Sequence, residues 1–207
     1  MVLYKNPAFY ILLASLTAFI LLLCTTFSTP LGSTFYFLRT SQASGVKFGM
    51  WGWCLDDGTV CSASSFGYTW QPEISVPITK ALVFYPISVV FSFFTIVAIL
   101  PVLFSRSAQG DRVFLFLSWM TFALSSIAFF FMIGVYGVAK SRFEKRGFSA
   151  NYGNLPWMSL SASLLMLITS VAPYFFGPIP KIHRKNEKSR YGSDWRNRIS
   201  RFSRHTV

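Results

Sequence analysis

The stretch FGMWGWCLDDGTVC, residues 48–61, contains two of the three cysteines of this 207-residue chain, one on each side of a hairpin signal. Asp57-Gly58 is a strong two-residue turn, because Gly tolerates positive φ and Asp is among the better residues beside it. Counting outward from that turn places Cys54 opposite Cys61 as a hydrogen-bonded pair, with Cα atoms about 5.5 Å apart. That separation lies within the disulfide range. The spacing therefore predicts a cross-strand disulfide.

Two free thiols in a loop, or half of a zinc site, are the alternatives for Cys54 and Cys61. No His lies near them in the sequence, and two ligands do not complete the tetrahedral shell of zinc. Disulfides persist in oxidising compartments, so the loop is expected to lie outside the cytosol. Cys24 is expected to be a packing residue inside a membrane span.

Apolar segments long enough to cross a membrane lie on both sides of this stretch. Four of them contain no Asp, Glu, Lys, Arg or His, and each has at least the roughly 20 residues that a helix needs to cross the hydrocarbon core. They are Ala8–Ser28, Ala81–Phe104, Val113–Ala139 and Leu155–Gly177. The composition agrees, because 53% of the residues are hydrophobic and only 13% are charged, against about a quarter charged in soluble domains. We predict four spans, the first of them uncleaved.

Basic residues between the spans predict the orientation of the bundle. The net charge is +12, and 12 of the 19 Lys and Arg residues lie on the inside if both termini are cytoplasmic. The positive-inside rule therefore predicts cytoplasmic termini and an outer loop over residues 29–80. The second outer loop, 140–146, is itself basic and runs against the rule. Because the chain is embedded in a membrane, its charge is not expected to bind nucleic acid.

Glycines and aromatic residues surround the two cysteines in a specific pattern. Gly49-Met-Trp-Gly-Trp-Cys54 precedes Cys61 and then Phe66-Gly67-Tyr68, all in the loop after the first of four spans. This arrangement resembles the fungal Sur-seven/PalI family, whose members have Gly-x-x-Gly-aromatic-Cys, a second Cys and Gly-Tyr in that loop. It is similar, more remotely, to the claudin-like superfamily. The positions that match the family motif are Gly49, Trp51, Gly52, Trp53, Gly67 and Tyr68.

The resemblance implies a claudin-like fold and a function without catalysis. The implied fold is an all-α membrane bundle of four transmembrane helices, with a small disulfide-pinned β-sheet in the first extracellular loop. The implied function is that of a plasma-membrane organiser, or of an accessory or chaperone subunit of a larger membrane assembly, in eisosome-type domain organisation, pH sensing or cell-wall integrity. A small channel or transporter subunit is the alternative. The expected partner is an integral membrane protein or a second copy of the chain.

The tryptophans of the motif have two possible roles. On a strand through residues 48–54, Trp51 and Trp53 share one face and Phe48, Met50 and Cys54 share the other. Indole rings at the headgroup level would anchor a sheet to the membrane. Alternatively, they would form an exposed patch with Trp70 that binds a partner. We favour the anchoring role.

The predicted spans lack the charged side chains that usually mark transporters and proton relays. The chain has two histidines, His183 and His205, and both lie in its basic C-terminal segment. We predict that the protein is not an enzyme and holds no cofactor or metal. Ser159, Ser163 and Ser170 fall on one helical face, where small residues let helices approach closely. Packing within the bundle is the expected role of this face, and docking of another membrane protein is the alternative.

Residues 181–207 form a basic cytoplasmic tail that we separate from the membrane domain, residues 1–180. The tail has nine Lys or Arg residues and two acidic residues, a net charge of +7. Its aromatic and aliphatic residues recur at helical spacing, which predicts an amphipathic helix that binds anionic lipids. An ordinary tail that only fixes the topology is the alternative. The predicted lipid-binding residues are Arg190, Tyr191, Trp195, Arg196, Arg198, Ile199, Arg201, Phe202 and Arg204.

Overall fold

A computed structural model describes residues 7–32, 34–65, 67–68, 70, 74, 80–105 and 108–175. Its four long helices are α1 (Pro7–Thr26), α2 (Phe84–Ser105), α3 (Ala108–Lys145) and α4 (Leu155–Phe175). All four are long and apolar enough to cross a membrane. The four predicted spans are therefore confirmed, and the chain is a multi-pass membrane protein. By its internal contacts the chain divides into Met1–Ser170 and Val171–Val207, and the last turn of α4 is the described part of the second unit.

The helices are apolar on all sides, as helices in a lipid environment are. Large side chains such as Leu13, Phe93 and Phe130 are at least half exposed on the outer surface. Small and hydroxyl-bearing side chains are buried between the helices. Ser159, Ser163 and Ser170 are all at most 5% exposed, which confirms that this face of α4 packs within the bundle.

Helix α3 is considerably longer than the predicted span 113–139. Its 38 residues correspond to about 57 Å at 1.5 Å per residue, against a hydrocarbon core of about 30 Å. The prediction of a loop beginning at Lys140 was wrong, because the helix continues to Lys145. Two features stabilise the extension: Lys140 and Glu144 form an (i, i+4) ion pair at 3.7 Å, and Phe143 is fully buried.

A four-stranded antiparallel sheet packs on this extension of α3. Its strands are β1 (Leu38–Thr40), β2 (Val46–Phe48), β3 (Trp53–Leu55) and β4 (Ala150–Tyr152), in the order β3-β2-β1-β4. The small sheet of the predicted claudin-like fold is therefore confirmed. Strand β4 was not predicted, and it comes from the segment between α3 and α4. The sheet thus joins the two loops on one side of the bundle.

The two faces of the sheet differ in chemistry. Leu38, Val46 and Phe48 are fully buried and belong to the same hydrophobic core as Tyr136 and Phe143 of α3. The rings of Phe48 and Phe143 lie 5.9 Å apart. The opposite face, which we call the polar face, contains Arg39 and Lys47, which are paired across β1 and β2. Because side chains alternate along a strand, burial of one face leaves the other facing outward.

Residues 48–54 do not form the single strand that the sequence analysis assumed. Strand β2 ends at Phe48 and β3 begins at Trp53, and the Gly49 N–H donates to the Gly52 carbonyl at 2.8 Å to close the turn between them. Phe48 therefore pairs with Trp53, and the two side chains share a face of the sheet. The predicted separation of Trp53 from Phe48 onto opposite faces was wrong, because a reversal of the chain lies between them.

The disulfide is formed as predicted, but its hairpin differs in detail. Cys54 and Cys61 are bonded, with Cα atoms 4.1 Å apart. The flanking bonds run from Leu55 N–H to the Val60 carbonyl and from Ser62 N–H to the Trp53 carbonyl, both 2.9 Å. This pattern makes the cysteines a non-hydrogen-bonded pair, the closer of the two kinds. The predicted hydrogen-bonded pairing at about 5.5 Å was wrong.

A shift of the turn explains that difference. Gly58 N–H donates to the Leu55 carbonyl at 3.0 Å, so Asp56 and Asp57 are the central residues of the turn. Gly58 follows them with φ of 71°, in the left-handed region that Gly favours. The connection is therefore a four-residue loop over residues 56–59. It keeps Cys54 opposite Cys61 while changing which residues of the ladder are hydrogen-bonded.

Candidate functional site

The first part of the family motif forms a turn, residues 49–52, that docks against the end of α1. The indole N–H of Trp51 donates to the Thr26 carbonyl at 2.6 Å. The Met50 backbone N–H donates to the Ser28 hydroxyl at 2.9 Å. The last carbonyls of a helix have no partner within the helix, so Trp51 caps the end of α1. The motif thereby attaches the sheet to the first span.

Gly49 is required by a close approach of two backbones. A Cβ atom at this position would lie 2.7 Å from both the backbone nitrogen and the Cβ of Thr29, and closer still to the Thr29 carbonyl oxygen. Gly52 is crowded in the same way by the Ser62 hydroxyl, which accepts the Trp53 N–H at 3.0 Å. Gly49 and Gly52, two of the three motif glycines, are therefore explained by packing of the turn against neighbouring segments.

The carbonyl of Gly49 is the centre of a buried cluster with two tyrosines. The hydroxyls of Tyr68 and Tyr136 lie 2.8 and 2.7 Å from this carbonyl and 2.8 Å from each other. Two hydroxyl protons serve at most two of these three contacts. Burial raises the pKa of Tyr68, so its hydroxyl stays protonated and remains a donor. Gly67, which precedes Tyr68 in the motif, has φ of 79°. This left-handed conformation favours Gly over other residues.

The three tryptophans of the loop are partly buried and interact within the chain. The Trp70 indole N–H donates to the Gln42 side-chain oxygen at 2.9 Å. The rings of Trp53 and Trp70 are in edge-to-face contact, with centroids 4.7 Å apart. The role favoured for Trp51 and Trp53 was anchoring to headgroups, whereas the structure gives both of them contacts that hold the sheet together. Their position relative to a membrane stays a prediction.

A hollow of about 610 Å³ opens on the polar face of the sheet. Its lining residues are Thr34, Tyr36, Arg39, Lys47, Asp56 and Asn154. Asp56 forms ion pairs with Arg39 through one carboxylate oxygen and with Lys47 through the other, the latter at 2.9 Å. The hydrogen bond from Lys47, together with that from Arg39, holds the pKa of Asp56 below its ordinary value despite partial desolvation.

The hollow was not predicted from the sequence, although Arg39, Lys47 and Asp56 are charged residues in a Gly- and Ser-rich loop. The alternation of Arg39 with buried Leu38 and Thr40 was the available signal. Register between β1 and β2, and the position of the 56–59 loop, were needed to bring the three charges together. Asn154 comes from beyond β4, so the second loop completes the hollow.

Polar side chains also join the helices of the bundle. Direct contacts between hydroxyls connect Tyr85 with Ser159 at 2.7 Å and Ser118 with Ser170 at 2.7 Å. The hydroxyls of Thr95 and Thr121 are 3.2 Å apart.

Among the described residues, no group of three or more His, Cys, Asp or Glu is placed to hold a metal ion. The predicted lipid-binding residues, 190–204, lie outside the described part of the chain.

Comparison with known proteins assigns the family. The model of the SUR7/PalI family matches residues 6–169, which include all four helices up to the last turns of α4, the sheet and the disulfide. Comparison with curated proteins gives no match. The matching family is not a known enzyme family. Because the match covers well over half of the sequence and the motif residues occupy defined structural positions within it, the chain belongs to the SUR7/PalI family.

Proposed function

We propose that the protein is a non-catalytic organiser of the plasma membrane, or an accessory subunit of a membrane assembly. The observation that supports this most directly is the closed interior of the bundle. Each of the four spans has side chains between the helices that are at most 1% exposed, among them Ala18, Ile99, Met132 and Met166. A water-filled path through one copy of the chain would leave such side chains partly exposed. The geometry therefore favours a structural role over conduction.

The rigid attachment of the sheet supports the same role. The Trp51 hydrogen bond attaches the sheet to α1, and Tyr136 and Phe143 of α3 pack in the same hydrophobic core as the sheet. The disulfide closes the 56–59 loop. A preorganised surface loses less conformational entropy when it binds a partner. The sheet is thus suited to hold a fixed shape beside the membrane for another protein of the assembly.

A reconstitution experiment tests the organiser role against the alternative of a channel subunit. The purified full-length chain is placed in liposomes that contain an ion-sensitive dye, and the tagged chain is followed in cells by fluorescence recovery after photobleaching. We expect the ion flux into these liposomes to equal that into empty liposomes. In cells, we expect the tagged chain to form clusters that exchange slowly with the surrounding membrane. The matched control replaces both Cys54 and Cys61 with Ser, which leaves the spans intact, and should dissolve the clusters without removing the protein from the membrane. Ion flux well above that of empty liposomes, or uniform free diffusion, would contradict the proposal.

We further propose that the protein resides in the plasma membrane with both termini in the cytoplasm. The distribution of basic residues and the disulfide, which favours an oxidising compartment, support this orientation. Tags at Met1 and Val207 should be protected from external protease in intact cells, and a tag inserted near Ser64 should be cleaved. Opposite accessibility of the two termini would contradict it, because an even number of spans places them on the same side.

The tail, residues 181–207, is proposed to bind anionic lipids on the cytoplasmic side. Each Lys or Arg near an anionic leaflet contributes about 1 kcal/mol to the free energy of membrane binding. The net charge of +7 therefore favours binding of the tail to the membrane even where salt screens part of it. A peptide of this segment should become helical on phosphatidylserine vesicles, as measured by circular dichroism. Replacing Trp195 and Phe202 with Ser should weaken binding at any salt concentration, whereas replacing four arginines should weaken it chiefly at low salt. A peptide that stays unfolded in the presence of the vesicles would contradict lipid binding, and the tail would then only fix the topology.

A further inference from the structure

We propose that the hollow on the polar face of the sheet binds an acidic saccharide, a sugar unit that carries a carboxylate. The proposal goes beyond the organiser role. It rests on the proposed orientation in one respect, which is that the sheet faces the cell exterior, where saccharides are available.

Charge is the first argument for an anionic ligand. Two cations, Arg39 and Lys47, share the single carboxylate of Asp56, and each oxygen of that carboxylate contacts a different cation. The six lining residues include no second acidic side chain. The described lining residues therefore carry an excess of one positive charge, whereas an ion pair that only stabilised the sheet would need one cation.

The available donors are the second argument. A guanidinium has five N–H donors in a fixed planar arrangement that matches a carboxylate, and the contact of one nitrogen of Arg39 with Asp56 occupies one edge of it. The Arg39 side chain is 53% exposed, against 21% for Lys47. Arg39 is thus the residue best placed to bind the carboxylate of a ligand, and Lys47 adds a second positive charge to the lining.

The remaining lining residues fit the rest of a sugar. Tyr36 provides a ring, over which Lys47 lies with its ammonium 5.6 Å from the centroid. Thr34 and Asn154 add a hydroxyl and an amide to the lining, and the Asn154 amide donates to the Thr34 carbonyl at 3.4 Å. The volume of about 610 Å³ lies within the usual range of about 300–1,000 Å³ for small-molecule sites. A few polar groups around an aromatic surface select a hydroxyl-rich ligand over an apolar one.

The disulfide fixes the geometry of the hollow. Lys47 is the partner of Cys54 in the β2–β3 register, and Asp56 lies in the loop that the Cys54–Cys61 bond closes. The Asp56 backbone N–H also donates to the Gly45 carbonyl at 2.9 Å. Both ends of the Lys47–Asp56 ion pair are therefore held by backbone and covalent constraints, so the hollow is present before a ligand arrives.

A titration of the purified full-length chain in detergent tests the proposal. The probe is trigalacturonic acid, and the matched neutral probe is maltotriose, with heat of binding as the signal. We expect trigalacturonic acid to bind at least about tenfold more tightly than maltotriose, and to weaken as salt is added. Equal affinity for the two sugars would overturn the proposal. Competition by inorganic phosphate at the same concentration as the sugar would also overturn it, because it would identify a general anion site.

Three variants locate the binding in the hollow. Arg39→Gln should weaken binding about tenfold, as expected for loss of one charge-assisted contact. Lys145→Gln removes the same charge outside the hollow and should leave the affinity unchanged. Asp56→Asn raises the excess charge of the hollow and should strengthen binding severalfold, a result that a misfolded protein would not give. Equal effects of the Arg39 and Lys145 substitutions, or weaker binding by Asp56→Asn, would exclude the hollow. Protease accessibility near Ser64 tests the orientation separately, so the two failures are distinguishable.

Discussion

Replacement of Gly49 by Ala should destabilise the protein strongly, although it adds a single methyl group. The new Cβ would lie 2.7 Å from two atoms of Thr29, one of them backbone, and closer still to the Thr29 carbonyl oxygen. Overpacking of this kind costs about 1–3 kcal/mol. Relief requires the turn to move, which would separate the Gly49 carbonyl from the hydroxyls of Tyr68 and Tyr136. One of the two buried hydroxyl protons would then lack an acceptor, which costs about 1–3 kcal/mol more. We expect a total loss of about 3–4 kcal/mol in the free energy of unfolding.

The assay is thermal unfolding of the purified chain in detergent, followed by tryptophan fluorescence. A loss of about 3 kcal/mol corresponds to a fall of roughly 6–12 °C in the midpoint for a protein of this size. The matched control is Gly134→Ala on α3, where a Cβ would meet nothing within 4 Å and where Ala is favoured over Gly in a helix by about 0.5–1 kcal/mol. The control should therefore be neutral or stabilising. If Gly49→Ala unfolds at the same temperature as the unsubstituted chain, the close approach to Thr29 does not exist.

Three further predictions concern the same loop. Trp51→Phe keeps an aromatic ring but removes the hydrogen bond to the end of α1, so it should cost about 1–2 kcal/mol in the same assay; a variant as stable as the parent would show that the cap contributes nothing. Cys54→Ser and Cys61→Ser should each give the same loss as the double variant, about 2.5 kcal/mol for an eight-residue ring in the chain-entropy model, and two alkylated thiols in the non-reduced protein would contradict the pairing. The hydrogen bond from Lys47 holds the pKa of Asp56 below its ordinary value, so the stabilising effect of the ion pair is complete above the pKa of the unfolded chain and is lost as the pH falls through the folded pKa. Unfolding midpoints measured downward from about pH 6 should therefore fall less steeply for Asp56→Asn than for the unsubstituted chain, and parallel profiles would contradict the ion pair.

The sequence predicted the features that depend on local composition and short spacing. The spans could be located because the thickness of the hydrocarbon core sets a minimum length of apolar helix. The prediction that Cys54 lies opposite Cys61 was correct although the turn was placed one residue too late. The predicted two-residue turn and the observed four-residue loop give the two cysteines the same register. Family membership was likewise visible in the motif itself.

The motif did not reveal what its residues do. The crowding at Gly49 involves Thr29, and the hydroxyl on its carbonyl comes from Tyr136, 87 residues further along the chain. No periodicity within residues 48–54 indicates either neighbour. Side-chain alternation along residues 48–54 was assigned on the assumption of one continuous strand. That assumption was wrong, because Gly49 and Gly52 permit a tight reversal of the chain.

The sequence by itself thus determined the membrane class, the four spans, the disulfide pairing and the family, because apolar length and turn residues act over a few neighbouring positions. The tertiary structure alone decided how far α3 extends beyond its charge-free segment, since burial of Phe143 under the sheet stabilises helix that contains charged residues. It also decided that Ala150–Tyr152 joins the sheet as β4, a strand too short for any alternation to predict. The hollow exists for the same reason: Arg39, Lys47, Asp56 and Asn154 meet only when the register of β1 and β2 and the pairing of β4 bring together two loops that the spans separate in sequence.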